Sequence, residues 1–129
     1  MPETKRPWFA LPVWTISIAF WIACVFMTHM PRPPSFTDVI VSDKIKHFCG
    51  YGTLATLIYF SLWIRGWGRW TLPIIVLVIL AAYGALDEIT QPPFGRTCDL
   101  YDWYADMCGV TAAMIIWTFV RTMTRSLPN

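Results

Sequence analysis

Residues Asp87 to Asp106 read DEITQPPFGRTCDLYDWYAD. This stretch holds Asp87, Glu88, Asp99, Asp102 and Asp106, five of the eight acidic side chains, with Arg96 and the Pro92-Pro93 pair among them. Uncharged runs flank it, Leu72 to Leu86 before and Met107 to Val120 after. Crossing about 30 Å of hydrocarbon takes about 20 helical residues, and each run falls short. The helices on both sides must therefore run into the acidic stretch. One carries Asp87 and Glu88 in its last turns; the other starts near Asp99 or Asp102 and takes Asp106 below the interface. An outwardly ordinary acidic loop thus reads as the polar end of a membrane bundle.

Composition supports that class. The chain is 56% hydrophobic and 16% aromatic, with a mean hydropathy of +0.48, well above a soluble domain of this length. Trp8, Trp63, Trp67, Trp70 and Trp103 fall at the ends of apolar runs, where amphipathic rings favour the membrane interface. A net charge of +2 without a basic run excludes nucleic acid as a partner class; the expected partner is the bilayer itself. Cys24, Cys49, Cys98 and Cys108 lack the paired spacing of zinc or redox motifs. Cys24 and Cys108 read as lipid-facing or packing residues. Cys49 and Cys98 fall toward one side, but no distance between them follows from spacing, and they are read as unpaired.

Residues 1–129 read as one domain, all-α, with four transmembrane helices at about 9–30, 43–64, 71–90 and 100–121. The first run follows Lys5-Arg6 like a signal peptide. It is longer than a signal core and no small-x-small cleavage site follows it, so it reads as a retained helix. His29 ends it as an interfacial residue. Pro31 to Ser42 is a Pro-rich loop, Ser42 or Asp43 is the expected cap of the second helix, and Arg65 to Arg69 (RGWGR) is a tight turn. Thr71 is the expected cap of the third helix. Gly50, Gly52, Gly84 and Gly109, with Ala81, Ala85 and Ala113, are positions where helices can approach closely.

Four crossings gather Lys5, Arg6, Arg65, Arg69, Arg121 and Arg125 on one side against Glu3 alone. The other side holds Arg32, Lys44, Lys46 and Arg96 with seven acids. The excess of Lys and Arg places both termini in the cytoplasm. Every polar knot then faces outward.

Helical spacing puts Asp43, His47 and Tyr51 on one face of the second helix, with Lys44 and Lys46 beside it. Asp99, Asp102, Asp106 and Gly109 share a face of the fourth, and Asp87 and Gln91 stack on the third. Ionisable groups at membrane depth are costly and point to a site; the plain alternative is a salt-bridge network that only pins the helices. His47 with Asp43 or Asp102 suits acid-base chemistry, whereas one His among carboxylates does not by itself name a metal, and no cofactor is expected. A proton-coupled carrier ranks lowest, because the cytoplasmic halves are almost free of ionisable residues.

Three motifs in order, Asp43-Lys44-x-x-His47-Phe48-x-x-Tyr51, Asp87-Glu88-x-x-Gln91 and Gly95-Arg96-x-x-Asp99-x-x-Asp102-x-x-x-Asp106-x-x-Gly109, resemble the VanZ-like membrane protein family. The resemblance covers the chain from the second helix onward. It implies a small integral protein of the bacterial inner membrane and cell envelope, in a family whose founding member is associated with resistance to the antibiotic teicoplanin; resistance does not transfer on that basis. In that family the position of Asp106 is often Asn. The expectation is a site that binds an anionic lipid-linked or cell-wall precursor ligand. Lys44 and Arg96 would clamp the anion. His47, Asp43 and Asp102 are the candidates for chemistry, and Tyr51, Asp87, Glu88, Gln91, Asp99 and Asp106 the candidates for ligand contact. The alternative is a membrane-embedded hydrolase or transferase acting on lipid or polyprenyl phosphates.

Overall fold

The computed structural model describes residues 10–31 and 43–125. Their regular structure is entirely helical: α1 (Ala10–His29), α2 (Asp43–Trp63), α3 (Thr71–Thr90), a 3-10 turn (Pro92–Phe94) and α4 (Leu100–Arg125). The expected Pro-rich loop after Pro31, the Ser42 cap and the basic N-terminal residues lie outside the described residues.

Periodic apolar positions form the core. Leu72, Val76, Leu80 and Gly84 recur every fourth residue along α3, and Leu54, Ala55, Ile58 and Tyr59 make the facing stripe of α2, with Val110, Ala113 and Met114 from α4. α2 and α4 are the central pair. Their approach rests on Gly52 and Gly109: a Cβ on Gly109 would collide with the Phe48 carbonyl, and one on Gly52 would lie 3.3 Å from the Gly109 oxygen. A stripe of minimal side chains lets backbones touch where lipid supplies no hydrophobic drive.

α1 has a different character. Among its described residues only Ser17 is buried, while Leu11, Ile16, Ile18, Ile22, Phe26 and Met27 point outward. An apolar surface on all sides suits hydrocarbon rather than water. Three helices, over Leu11–His29, Thr71–Thr90 and Leu100–Thr124, are long and apolar enough to cross a membrane. α2 is less apolar because Asp43, Lys44 and Lys46 occupy its first turn.

Helix ends depart from expectation in two places. α3 starts with Trp70 at its cap position and no side-chain cap, so Thr71 lies inside the helix. α4 runs on past Arg121 to Arg125, because the Arg121 guanidinium turns back into the protein. It donates to the Trp67 carbonyl at 2.9 Å and lies 5.3 Å from the Trp63 ring. The turn it pins closes at Gly66, whose φ of 85° favours a residue without Cβ. Trp103, expected at the interface, points inward and donates Nε1–H to the Ala81 carbonyl at 3.1 Å. Ala85 is exposed rather than at a contact. The four cysteines are free thiols; Cys49 and Cys98 are exposed and do not pair.

Candidate functional site

One end of the bundle collects the last turn of α1, the first turns of α2 and α4, the last turns of α3 and the 92–99 connection. Every site residue named from sequence comes to this level. Asp87, Glu88, Gln91, Asp102, Asp106, His47 and Tyr51 are buried, and Asp43, Lys44, Arg96 and Asp99 rim them.

The centre is His47. Its Nδ1 bonds the Asp106 Oδ1 atom at 2.9 Å, and its Nε2 lies 3.8 Å from Asp102 Oδ2. The i, i+4 step from Asp102 to Asp106 on α4 places both carboxylates along the side of α2 that presents the imidazole. Lys44 then satisfies the outer carboxylates, donating to Asp102 Oδ1 at 2.9 Å and to Asp99 Oδ2 at 3.1 Å. Its ammonium is thus paired with two carboxylates while the side chain stays half exposed.

Besides pairing with Lys44, Asp99 performs two tasks. Its Oδ1 accepts the Tyr101 N–H at 2.8 Å and so caps α4. Its own N–H donates to Glu88 Oε2 at 2.8 Å, tying α4's start to α3's end. The Tyr101 N–H first, and Lys44 second, hold its carboxyl below the usual range.

Gln91 bridges the acid pair of α3. Its amide donates to Asp87 Oδ2 and to Glu88 Oε1, each at 3.2 Å. Asp87 Oδ1 accepts from Thr28 at 2.8 Å, and His29 Nε2 meets the Thr90 hydroxyl at 2.9 Å. Thr28 and His29 were not in the sequence-based site. The only signal for them is their place, two polar residues ending an apolar helix at the level of the acids.

Between the second half of α1 and the first half of α2 lies a cleft of about 410 Å³. Phe20, Ala23, Cys24 and Met27 form its apolar wall; Asp43, Lys46, His47 and Arg96 form its polar end. Arg96 reaches it from the connection, with Nη1 donating to the Met27 carbonyl at 3.2 Å and Nη2 4.0 Å from Asp43 Oδ2.

Two groups offer metal-ligand spacing, Asp43 with His47 and Asp102, and His47 with Glu88 and Asp106; within each, one ligand atom per residue lies within 4.8 Å of the others. Chemically the site offers buried acid-base groups, a guanidinium at a cleft mouth and an apolar channel beside them. No protein-family model, curated protein or solved structure matches this chain.

Proposed function

We propose that this chain is an integral membrane protein of the bacterial cell envelope with four crossings, both termini cytoplasmic, whose outward polar site binds the anionic head of a lipid-linked or cell-wall-related ligand. The observation that carries this reading is the cleft between α1 and α2. One wall is apolar, and the end near His47 carries Arg96 and Lys46, which matches an amphiphile with an acyl or prenyl chain and an acidic head. Arg96 has five N–H donors in a planar fork, suited to a phosphate or carboxylate. A likeness to VanZ-like proteins rests on the order of the three motifs alone, and it points to the same envelope setting.

The test is native mass spectrometry of the protein extracted in mild detergent. An anionic amphiphile is expected with wild type, and its loss with Arg96→Ala, while circular dichroism stays helical and the melting curve is kept. Neutral lipids only, or an unchanged lipid in Arg96→Ala, overturns the reading.

A second reading, a hydrolase or transferase on lipid or polyprenyl phosphates, is favoured by the His47–Asp106 bond of 2.9 Å, which would orient an imidazole base. Turnover of such phosphates, abolished in His47→Gln, separates catalysis from binding.

A further inference from the structure

Glu88 and Asp106 are 3% and 0% exposed, and the groups that meet them are neutral donors and the His47 ring. Lys44 bonds Asp99 and Asp102. Two sealed carboxylates thus share one imidazole, and burial of an uncompensated charge costs several kcal/mol.

A second observation is independent of that charge count. Asp106 Oδ2 is sealed from solvent and has no hydrogen-bond partner. It lies 3.4 Å from where a Gly84 Cβ would stand, beside Tyr51 Cε1, also 3.4 Å from that point. Buried polar atoms without a partner are rare, and each calls for an explanation.

We propose that His47, Glu88 and Asp106 form a binding site for a divalent first-row transition-metal ion. One ring nitrogen and two carboxylate oxygens already lie within 4.8 Å of one another. Ligand atoms about 2.0–2.2 Å from one tetrahedral ion stand about 3.3–3.6 Å apart, so side-chain rotations that bring the most distant pair in by up to about an ångström close the set. Neutral His47 with Glu88 and Asp106 carries two negative charges, which a divalent ion cancels. Imidazole among carboxylates selects zinc or manganese over calcium and magnesium. From the neutral state of His47 the ring N–H moves to the nitrogen turned away from the ion and no proton is lost; where acid has protonated the ring, that proton leaves as the metal enters, so affinity falls at low pH. The three residues come from three helices, α2, α3 and α4, so the ion would lock that end of the bundle. This site does not depend on the lipid reading above.

The test uses the full chain in detergent, stripped with chelator and titrated with Zn²⁺ or Mn²⁺ alone, the bound ion being counted after gel filtration. One ion per chain is expected for wild type. Asp106→Asn and Glu88→Gln should weaken binding at least about tenfold, the least expected when a ligand is lost, since outer-shell changes alone cost 10–100-fold. Asp43→Asn should leave affinity within about twofold. Loss of the ion in Asp43→Asn, with retention in Asp106→Asn, moves it to the other His47 group and overturns the proposal. Should the acid variants not fold, Mn²⁺ on wild type and on Asp43→Asn decides by electron-spin-echo modulation. One imidazole nitrogen coupled to the ion in both supports the site; no bound Mn²⁺, no such coupling, or its loss in Asp43→Asn refutes it.

Discussion

Gln91 carries more than its neutral side chain suggests. A single amide donates to two buried carboxylates, Asp87 and Glu88, one turn back on its own helix. Removing a donor leaves each oxygen with an unmet desolvation cost of about 1–3 kcal/mol. Gln91→Leu should therefore destabilise the protein by about 2–4 kcal/mol in denaturant unfolding in detergent. Gln91→Glu should be worse, because it adds a third carboxyl to the pair. Asp99 allows a charge test without disturbing the helix start, because Asn caps a helix about as well as Asp. Its folded carboxyl is held below the ordinary 3.8 by the Tyr101 N–H and Lys44. The stability it contributes is present above pH 3.8 and is lost as pH falls through the lower folded value. Asp99→Asn should flatten that part of the acid unfolding curve and leave the melting profile near neutral pH shaped as in wild type.

The helices were legible from length arithmetic, and the reasons are particular. Uncharged runs too short to cross forced Asp106 inward, and it is fully buried; the same reasoning placed the start of α2 at Asp43 and of α4 beside Asp99. Arg121 read as a stop because a charge normally ends an apolar run, whereas its guanidinium found the Trp67 carbonyl and the helix continued. Positions along a helix can be read from a single chain; partners across helices cannot. Hence Lys44 was expected on a ligand but sits on Asp99 and Asp102, while Arg96 faces Asp43 and the Met27 carbonyl. The same gap hid Thr28 and His29. At this scale the α2–α4 contact makes the sharpest prediction. Gly109→Ala drives a methyl group into the Phe48 carbonyl and should cost about 1–3 kcal/mol or shift the helices apart. Gly50→Ala, inside α2 where a Cβ meets nothing within 4 Å, should instead stabilise by about 0.5–1 kcal/mol in the same unfolding assay.

For the whole molecule, orientation is the open quantity that charge asymmetry addresses. Cys98 is exposed in the connection between α3 and α4, whereas Cys49 and Cys108 are exposed on helices, where lipid would cover them. With both termini cytoplasmic, a membrane-impermeant maleimide on intact cells should label Cys98 and spare Cys24, Cys49 and Cys108. Labelling of Cys98 only after the membrane is opened would invert the protein. A cysteine at Gly66, in the opposite turn, should show the reverse pattern.

α1 touches its neighbours through few polar points. Near its start the Ser17 and Ser61 hydroxyls meet at 2.9 Å, joining it to α2; at its end Thr28 and His29 join it to α3. The helix is thus fastened to α2 near its start and to α3 at its end, and the cleft lies along it against α2. Any change in its tilt changes the width of that cleft. A hydrophobic helix answers a change in bilayer thickness by tilting, at a fraction of a kcal/mol per ångström. Nanodiscs of short- and long-chain phosphatidylcholine should therefore hold the amphiphile proposed for this cleft to different extents, and the difference should fall away in Thr28→Val/His29→Phe, where the bonds from the end of α1 to α3 are cut. Membrane thickness would then be a second input to a site whose chemistry lies entirely in its carboxylates, imidazole and guanidinium.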